Sequence, residues 1–169
     1  MGLARRCVFM DRDGVINENA RPGEYIRTWE EFKLIPAAVD WIRLFNSLDL
    51  LVIVITNQRG VALGQMTADE LGRIHENMCK TLIGLGARID DVLSCPHALE
   101  TCDCRKPKPG LVLEAVRKWN ISIDDSVMIG DSPVDEELAV CCGLRFVPAS
   151  HGRLVSNVDR STSVPSIHR

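Results

Sequence analysis

The apolar run Cys7-Val8-Phe9-Met10 passes without a spacer into Asp11-Arg12-Asp13-Gly14. A short run with no alternation, bounded by Arg5-Arg6 and by Asp-Gly, predicts a strand buried on both faces of a parallel sheet. Two carboxylates then stand at its carboxyl end, where open α/β sheets keep their sites. Taken alone, Asp-x-Asp-Gly is also an ordinary turn. The pattern constrains the chain because it returns: Leu50 to Ile55 runs into Thr56-Asn57, and Ser126 to Ile129 runs into Gly130-Asp131-Ser132.

Helical patterns fill the gaps. Pro36 suits a first helical position, and Val39, Ile42, Phe45 and Leu48 follow on one face. Thr67-Ala68-Asp69-Glu70 is a capping box ahead of the stripe Leu71, Ile74, Met78, Leu82 and Leu85, which Gly86 closes. A third strand is expected at 91–94. A helix after Pro109-Gly110 turns Val112, Val116 and Trp119 inward. Another runs from Pro133 to near Gly143, ahead of a fifth strand at 144–147. Strand and helix alternate throughout, which predicts an α/β, Rossmann-like three-layer sandwich around a central parallel sheet. Residues 1–149 form one domain in this reading, and 150–169 a loosely ordered tail in which His151 and His168 are solvated. The long 14–35 segment lacks periodicity and reads as a functional loop.

Composition removes several functions. The net charge is −3, and no basic run exceeds Arg5-Arg6, so a nucleic-acid groove is not expected. Eight aromatic residues leave little for base stacking. The longest apolar run, near Leu48 to Ile55, is interrupted by Asp49 and is too short to span a bilayer. The N-terminus has no long apolar segment of the secretory kind. Seven cysteines, an odd number without a small-secreted-domain pattern, suit a reducing cytoplasmic protein. A monomer is the expected assembly.

Cys95-Pro96-His97 and Cys102-Asp103-Cys104 place three thiols and an imidazole within ten positions. That set is enough for a closed tetrahedral Zn²⁺ site, structural because no ligand position stays open. Cys7, Cys79, Cys141 and Cys142 read as incidental, with no role for the Cys141-Cys142 pair. His75, beside the second helix's stripe and without a local ionisable partner, reads as structural or surface. The zinc loop carries Arg105 and Lys106 onward, so its folding is coupled to whatever Lys106 does.

In a parallel sheet the polar strand ends lie on one edge, together with Arg105-Lys106-Pro107. Converging carboxylates need a hard cation, and Mg²⁺ prefers oxygen ligands. A carboxylate facing the substrate can attack phosphorus, and a neighbouring carboxyl group can protonate the leaving oxygen and then activate water. A lysine and a hydroxyl can hold the remaining phosphoryl oxygens. The chemistry this predicts is phosphoryl transfer.

Asp11-x-Asp13-Gly14, Thr56-Asn57, Lys106 and Gly130-Asp131-x-x-x-Asp135, in this order, resemble the haloacid dehalogenase superfamily of phosphatases. The resemblance implies Asp11 as nucleophile, Asp13 as general acid/base, and Thr56 and Lys106 as phosphoryl stabilisers. It implies Mg²⁺ on Asp11, Asp131 and the backbone carbonyl of Asp13, with Asp135 as a support or occasional ligand. With Asn17, Thr56-Asn57-Gln58-x-Gly60 and the Cys-x-His…Cys-x-Cys-Arg-Lys-Pro loop, the chain looks like the subfamily of D-glycero-D-manno-heptose 1,7-bisphosphate 7-phosphatases and histidinol-phosphate phosphatases. The expected substrate is then a small phosphorylated metabolite, heptose bisphosphate first and histidinol phosphate second. A non-catalytic zinc-loop binding module is the reading of another class. No room remains for a separate cap domain. Substrate contacts are therefore expected from Asn17, Tyr25, Asn57, Arg59 and Arg105, with Arg105 gripping a second anionic group.

Overall fold

The computed structural model describes residues 3–150 and 153–154. Six strands form one sheet in the order β3-β2-β1-β4-β5-β6. They are β1 (Cys7–Met10), β2 (Leu51–Asn57), β3 (Asp91–Cys95), β4 (Val127–Gly130), β5 (Arg145–Ser150) and β6 (Arg153–Leu154). The first five are parallel, and β6 is antiparallel to β5. The helices are α1 (Pro36–Ser47), α2 (Ala68–Gly84), α3 (Gly110–Trp119) and α4 (Pro133–Cys142).

Alternation along β1 divides the core. Val8 and Met10 join Val52, Val54 and Ile129 on the face covered by Val39 and Ile42 of α1 and Ile74, Met78 and Leu82 of α2. Cys7 and Phe9 join Leu51, Ile53, Ile55 and Met128 on the other face, beneath Leu111, Val112 and Ala115 of α3 and Leu138 and Ala139 of α4. The expected three-layer sandwich is this arrangement. Connections from β1 lead outward through β2 to β3, whereas those from β4 lead to β5 in the opposite direction. The reversal falls between neighbours β1 and β4, which opens a crevice at their carboxyl ends.

Three expectations at element ends change. Leu48 and Leu85 are exposed rather than inward, because each is the C-cap residue of its helix. There the backbone leaves the helical path and the apolar stripe stops. β5 extends to Ser150. Arg153–Leu154, in the segment expected to be loose, pairs with Ala149–Ser150 through backbone hydrogen bonding that apolar periodicity does not report. The other residues of the expected tail, His151 and His168 among them, lie outside the described residues.

The 14–35 segment contributes buried Val15, Ile16, Ile26 and Phe32 to the α1/α2 face. Backbone bonds pin it at Ile35 N to Ile16 O (2.8 Å) and Glu18 N to Lys33 O (2.8 Å). It is an ordered shoulder of the crevice, built without regular structure. Among the described residues, neither it nor the β2–α2 connection holds a further helix or sheet that would act as a cap.

Thr67 completes its capping box: its side chain accepts from Glu70 N, and Glu70 accepts from Thr67 N at 2.6 Å. Thr67→Ala should cost about 1 kcal/mol of stability. Urea unfolding should register that loss, because the two bonds of the box hold the first turn of α2.

Candidate active site

Asp11 and Lys106 meet at the crevice. Asp11 N donates to Ile129 O at 2.9 Å, fixing the end of β1 beside β4. Asp11 Oδ1 accepts from Arg12 N (2.7 Å), and its Oδ2 lies 2.9 Å from Lys106 Nζ. Lys106 Nζ also reaches Asp135 Oδ1 at 2.6 Å, and the side chains of Lys106 and Asp135 are 2% and 0% exposed. Asp135 sits in the first turn of α4, where its Oδ2 accepts from the Ser132 hydroxyl (2.6 Å) and backbone N–H (3.3 Å). A Cβ on Gly130 would stand 2.2 Å from Asp135 Cβ, so only glycine lets this carboxylate lie under the strand end.

Burial pushes the Asp11 carboxyl up to about 7; Lys106 opposes this and the Asp135 charge reinforces it. Lys106 is held above its usual range: burial works against its charge, and Asp11 and Asp135 outweigh burial. Asp131 is also raised, chiefly by burial. Its Oδ2 accepts from Asn19 Nδ2 at 2.8 Å, and any side chain on Gly14 (φ +81°) would collide with it. Oxygens of Asp11, Asp131 and Asp135 lie within 4.8 Å of one another. Asp135 is fully buried against Lys106 and Ser132, whereas Asp11 and Asp131 line the cavity. Asp11 and Asp131 are left as the carboxylates best placed for a cation, with Asp135 as the support of Lys106. A hard oxygen donor set of this kind suits Mg²⁺.

Asp13 lies against the other face. Its carboxylate accepts from Arg12 Nη2 (2.9 and 3.0 Å), Asn17 Nδ2 (2.9 Å) and Gln58 Nε2 (2.9 Å). Burial alone would raise its pKa, but the guanidinium and these bonds hold it below the usual carboxylate range. Gln58 Nε2 also donates to Thr56 Oγ1 at 2.9 Å, leaving the threonine hydroxyl hydrogen available to a ligand. Asp11, Asp13, Asn19, Thr56, Asn57, Lys106 and Asp131 line one cavity of about 340 Å³. A larger one of about 650 Å³ shares the Asn19–Asp131 lip.

The expected substrate contacts fare differently. Asn17 is fully buried, and its amide donates to Asp13 and to Glu18 O, so it supports the Asp13 carboxylate. Asn57 clasps the Lys106 peptide, donating to Lys106 O (3.1 Å) and accepting from Lys106 N (3.0 Å). It positions the lysine. Tyr25 packs against Gly60 and lines a separate cavity that meets the site only at Asn19. Arg59 and Arg105 do not line the Asp11 cavity. They are half-buried, and Arg59 Nε and Arg105 Nη1 have no hydrogen-bond partner. Four side chains with no expected role support the site: Arg12, Asn19, Gln58 and His75. His75 Nε2 lies 3.1 Å from Arg12 Nη1. A signal existed, since Leu71, Ile74, His75 and Met78 share one inward stripe.

The cysteine loop converges too. Cys95 Sγ is 3.5 Å from Cys102 Sγ and 3.7 Å from His97 Nδ1, and His97 Nδ1 is 3.1 Å from Cys104 Sγ. Burial and the neighbouring Cys95 and Cys102 push Cys104 up to about 12. Cys102 is drawn down to about 6, against burial, by hydrogen bonds from Cys104 and the Arg105 backbone. Thiols this crowded resist joint ionisation, and a cation among them relieves the conflict. The donor set is soft and four-fold, as a tetrahedral metal requires.

Residues 5–143 match the family profile of haloacid dehalogenase-like hydrolases. The chain belongs to that family. It is 39% identical to the D-glycero-beta-D-manno-heptose-1,7-bisphosphate 7-phosphatase of Rhodopseudomonas palustris, covering 83% of this chain and 81% of that one. It is 40% identical to the D-glycero-alpha-D-manno-heptose-1,7-bisphosphate 7-phosphatase of Mycobacterium bovis, over 86% and 82%. Among solved structures it resembles the D,D-heptose 1,7-bisphosphate phosphatase of B. bronchiseptica, complexed with magnesium and phosphate. The TM-score is 0.77 at 28% identity, over 88% and 83% of the two chains. The chain is a phosphoric monoester hydrolase of this family.

Asp11 supplies a pH test. Its pKa rises on folding from 3.8 to about 7. The folded state therefore binds the extra proton, and the associated stability is full below about pH 4 and lost as pH rises through about 7. Without added Mg²⁺, unfolding free energy should fall across this window more steeply for the parent than for Asp11→Asn. Adding Mg²⁺ should raise the parent at the upper end. Parallel pH profiles for the two proteins would contradict the assignment.

Proposed function

We propose that this hydrolase is a Mg²⁺-dependent phosphatase that removes the 7-phosphate of D-glycero-D-manno-heptose 1,7-bisphosphate through an aspartyl phosphate on Asp11. The observation that carries the chemistry is the convergence of Asp11, Asp13, Thr56, Lys106 and Asp131 on one cavity. The substrate assignment rests on the relatives, which are named for both anomers of this sugar.

Asp11, Asp131 and the Asp13 carbonyl would hold Mg²⁺, whose charge offsets repulsion between these carboxylates and a phosphate dianion. Lys106 orients Asp11 Oδ2 and, with the Thr56 hydroxyl, faces the phosphoryl oxygens. An Asp11 oxygen attacks phosphorus while the sugar oxygen departs with a proton from Asp13. Asp13, now a carboxylate, takes a proton from water as that water attacks the phosphoryl group. Inorganic phosphate leaves, and Asp11 is restored. The clamp of Arg12, Asn17 and Gln58 aims Asp13 and favours its carboxylate, the form in which it takes the proton from water.

The second phosphate is assigned to Arg105, with Arg59 beside it in role. Each carries a buried guanidinium nitrogen without a hydrogen-bond partner, which an anion would satisfy. Zn²⁺ on Cys95, His97, Cys102 and Cys104 would fix the loop that delivers Arg105 and Lys106. A reducing cytoplasm suits this thiol-rich clip. The partner is a small phosphorylated metabolite, and the enzyme acts as a monomer in this proposal.

A substrate panel tests the assignment: both heptose bisphosphate anomers, the corresponding monophosphate, and histidinol phosphate, compared by kcat/KM. A heptose bisphosphate should lead. Arg105→Ala should raise KM for the bisphosphate by about tenfold or more, a loss of about 1.5–3 kcal/mol from a charged hydrogen bond, and leave the monophosphate nearly unchanged. Preference for histidinol phosphate would overturn the substrate.

Zinc has its own measurement. Protein prepared without chelator should contain one zinc per chain, and its removal should lower both turnover and the protease resistance of the 95–110 loop. Zinc-free protein with an intact loop and full turnover would remove the metal from the proposal.

A further inference from the structure

The Arg12 side chain is fully buried, yet it carries a charge that no solvent reaches. It follows Val8 and Met10 in strand parity and so points to the face covered by α2, away from Asp11 and Lys106. There the guanidinium curls back onto Asp13, with Nε 3.2 Å from Oδ1 and Nη2 2.9 and 3.0 Å from the two oxygens. The remaining edge, Nη1, meets His75 Nε2 at 3.1 Å. A buried guanidinium is fixed only when its donors find acceptors on more than one side. Asp13 supplies one side and His75 another. An arginine nitrogen always donates, so the imidazole must accept through Nε2 and carry its proton on Nδ1. Burial and the Arg12 charge lower the His75 pKa to about 3, which keeps the ring in the neutral form this bond needs.

We propose that His75 is a positioning residue for Asp13, acting through Arg12: it anchors the guanidinium edge that sets the aim of the acid/base carboxylate. The proposal deepens the phosphatase reading and rests on Asp13 acting as acid and base. His75 touches neither substrate nor Asp11, so its loss affects only what depends on the aim of Asp13. A poorly aimed acid matters when the leaving oxygen is a strongly basic alkoxide. It matters little when the leaving group is a stabilised aryloxide, which departs without a proton.

Leaving-group dependence separates this role from a merely structural one. The parent is first shown to hydrolyse both a sugar phosphate and p-nitrophenyl phosphate. No turnover of either would refute the phosphatase reading and leave the tautomer measurement below as the test of the His75–Arg12 contact. His75→Leu, which removes the acceptor, should lower kcat/KM on the sugar phosphate by about 10–100-fold, within the range of general acid–base contributions. The loss on p-nitrophenyl phosphate should stay within about threefold. His75→Gln, whose side-chain oxygen can accept from Nη1, should recover most of the difference. Equal losses on both substrates, no loss on either, or no recovery with glutamine would overturn the proposal. If His75→Leu does not fold, the parent still decides: ¹⁵N resonances of His75 should show a protonated Nδ1 and an accepting Nε2, and a protonated Nε2 would refute the anchor.

Discussion

Lys106, buried between Asp11 and Asp135, is the interaction on which the rest of the architecture depends. Removing three charges from water is costly, and their mutual attraction offsets the cost only when the geometry is close and the spare lone pairs are satisfied. Each condition has a structural origin. Asp11 is held by the backbone of β4, Asp135 by the first turn of α4 and a side-chain-free Gly130, and Lys106 by the amide of Asn57. The cluster still has an excess of carboxylate once Asp131 is included, so a cation is attracted to the outer edge of a buried ion pair.

Asp11 and Asp13 share strand parity but sit in different supporting networks, because Arg12 between them points the opposite way. Asp11 follows Cys7 and Phe9 toward the α3/α4 face, where Lys106 and Asp135 wait. Arg12 follows Val8 and Met10 to the α2 face and takes Asp13 with it. The Arg12 carbonyl accepts from Ile16 N and Asn17 N, a tight turn that brings Asp13 back into the cavity. In the proposed assignment Asp11, the nucleophile, pairs with Lys106, and Asp13, the acid/base, is held as a carboxylate by Arg12, Asn17 and Gln58. Two carboxylates two positions apart, just past β1, reach different walls because Arg12, of the opposite parity, draws Asp13 to its own side.

β1, β2 and β4 were legible in sequence because they are apolar on both faces, and the site was legible because polar residues stop those runs abruptly. The helix stripes were legible up to their last turn, where Leu48 and Leu85 leave it. Less legible was which way a polar side chain turns once it reaches the site. Asn17 and Asn57 read as substrate contacts and are turned inward, to Asp13 and to a lysine 49 positions away. Arg12 had no expected role, and its second partner is a histidine 63 positions on. Hydrogen-bond partners across such separations are fixed by sheet register and helix docking, which local periodicity does not encode. Convergence of chemical types at strand ends is a strong signal because it needs only topology. Individual contacts need the packing itself.

The loops around the crevice are tied to one another. Gln58 N donates to Cys95 O at 2.8 Å, and Ala62 N to Pro96 O at 3.1 Å, so the strand-two loop is sewn to the cysteine loop. Tyr25 of the 14–35 segment rests on Gly60 of the same strand-two loop. The Gln58 side chain completes the connection by bonding both Thr56 and Asp13. A shift in any one loop therefore reaches Thr56, Asp13 or the loop that carries Lys106. That coupling gives the cysteine cluster its place in the design. The 95–110 loop lacks regular structure to hold it, yet it must keep a buried lysine within hydrogen-bond reach of two carboxylates. Cys95 at the end of β3 meets His97, Cys102 and Cys104 in one four-donor cluster, and Arg105 follows Cys104 directly, so a metal held there, as proposed above, would brace the loop beside Lys106.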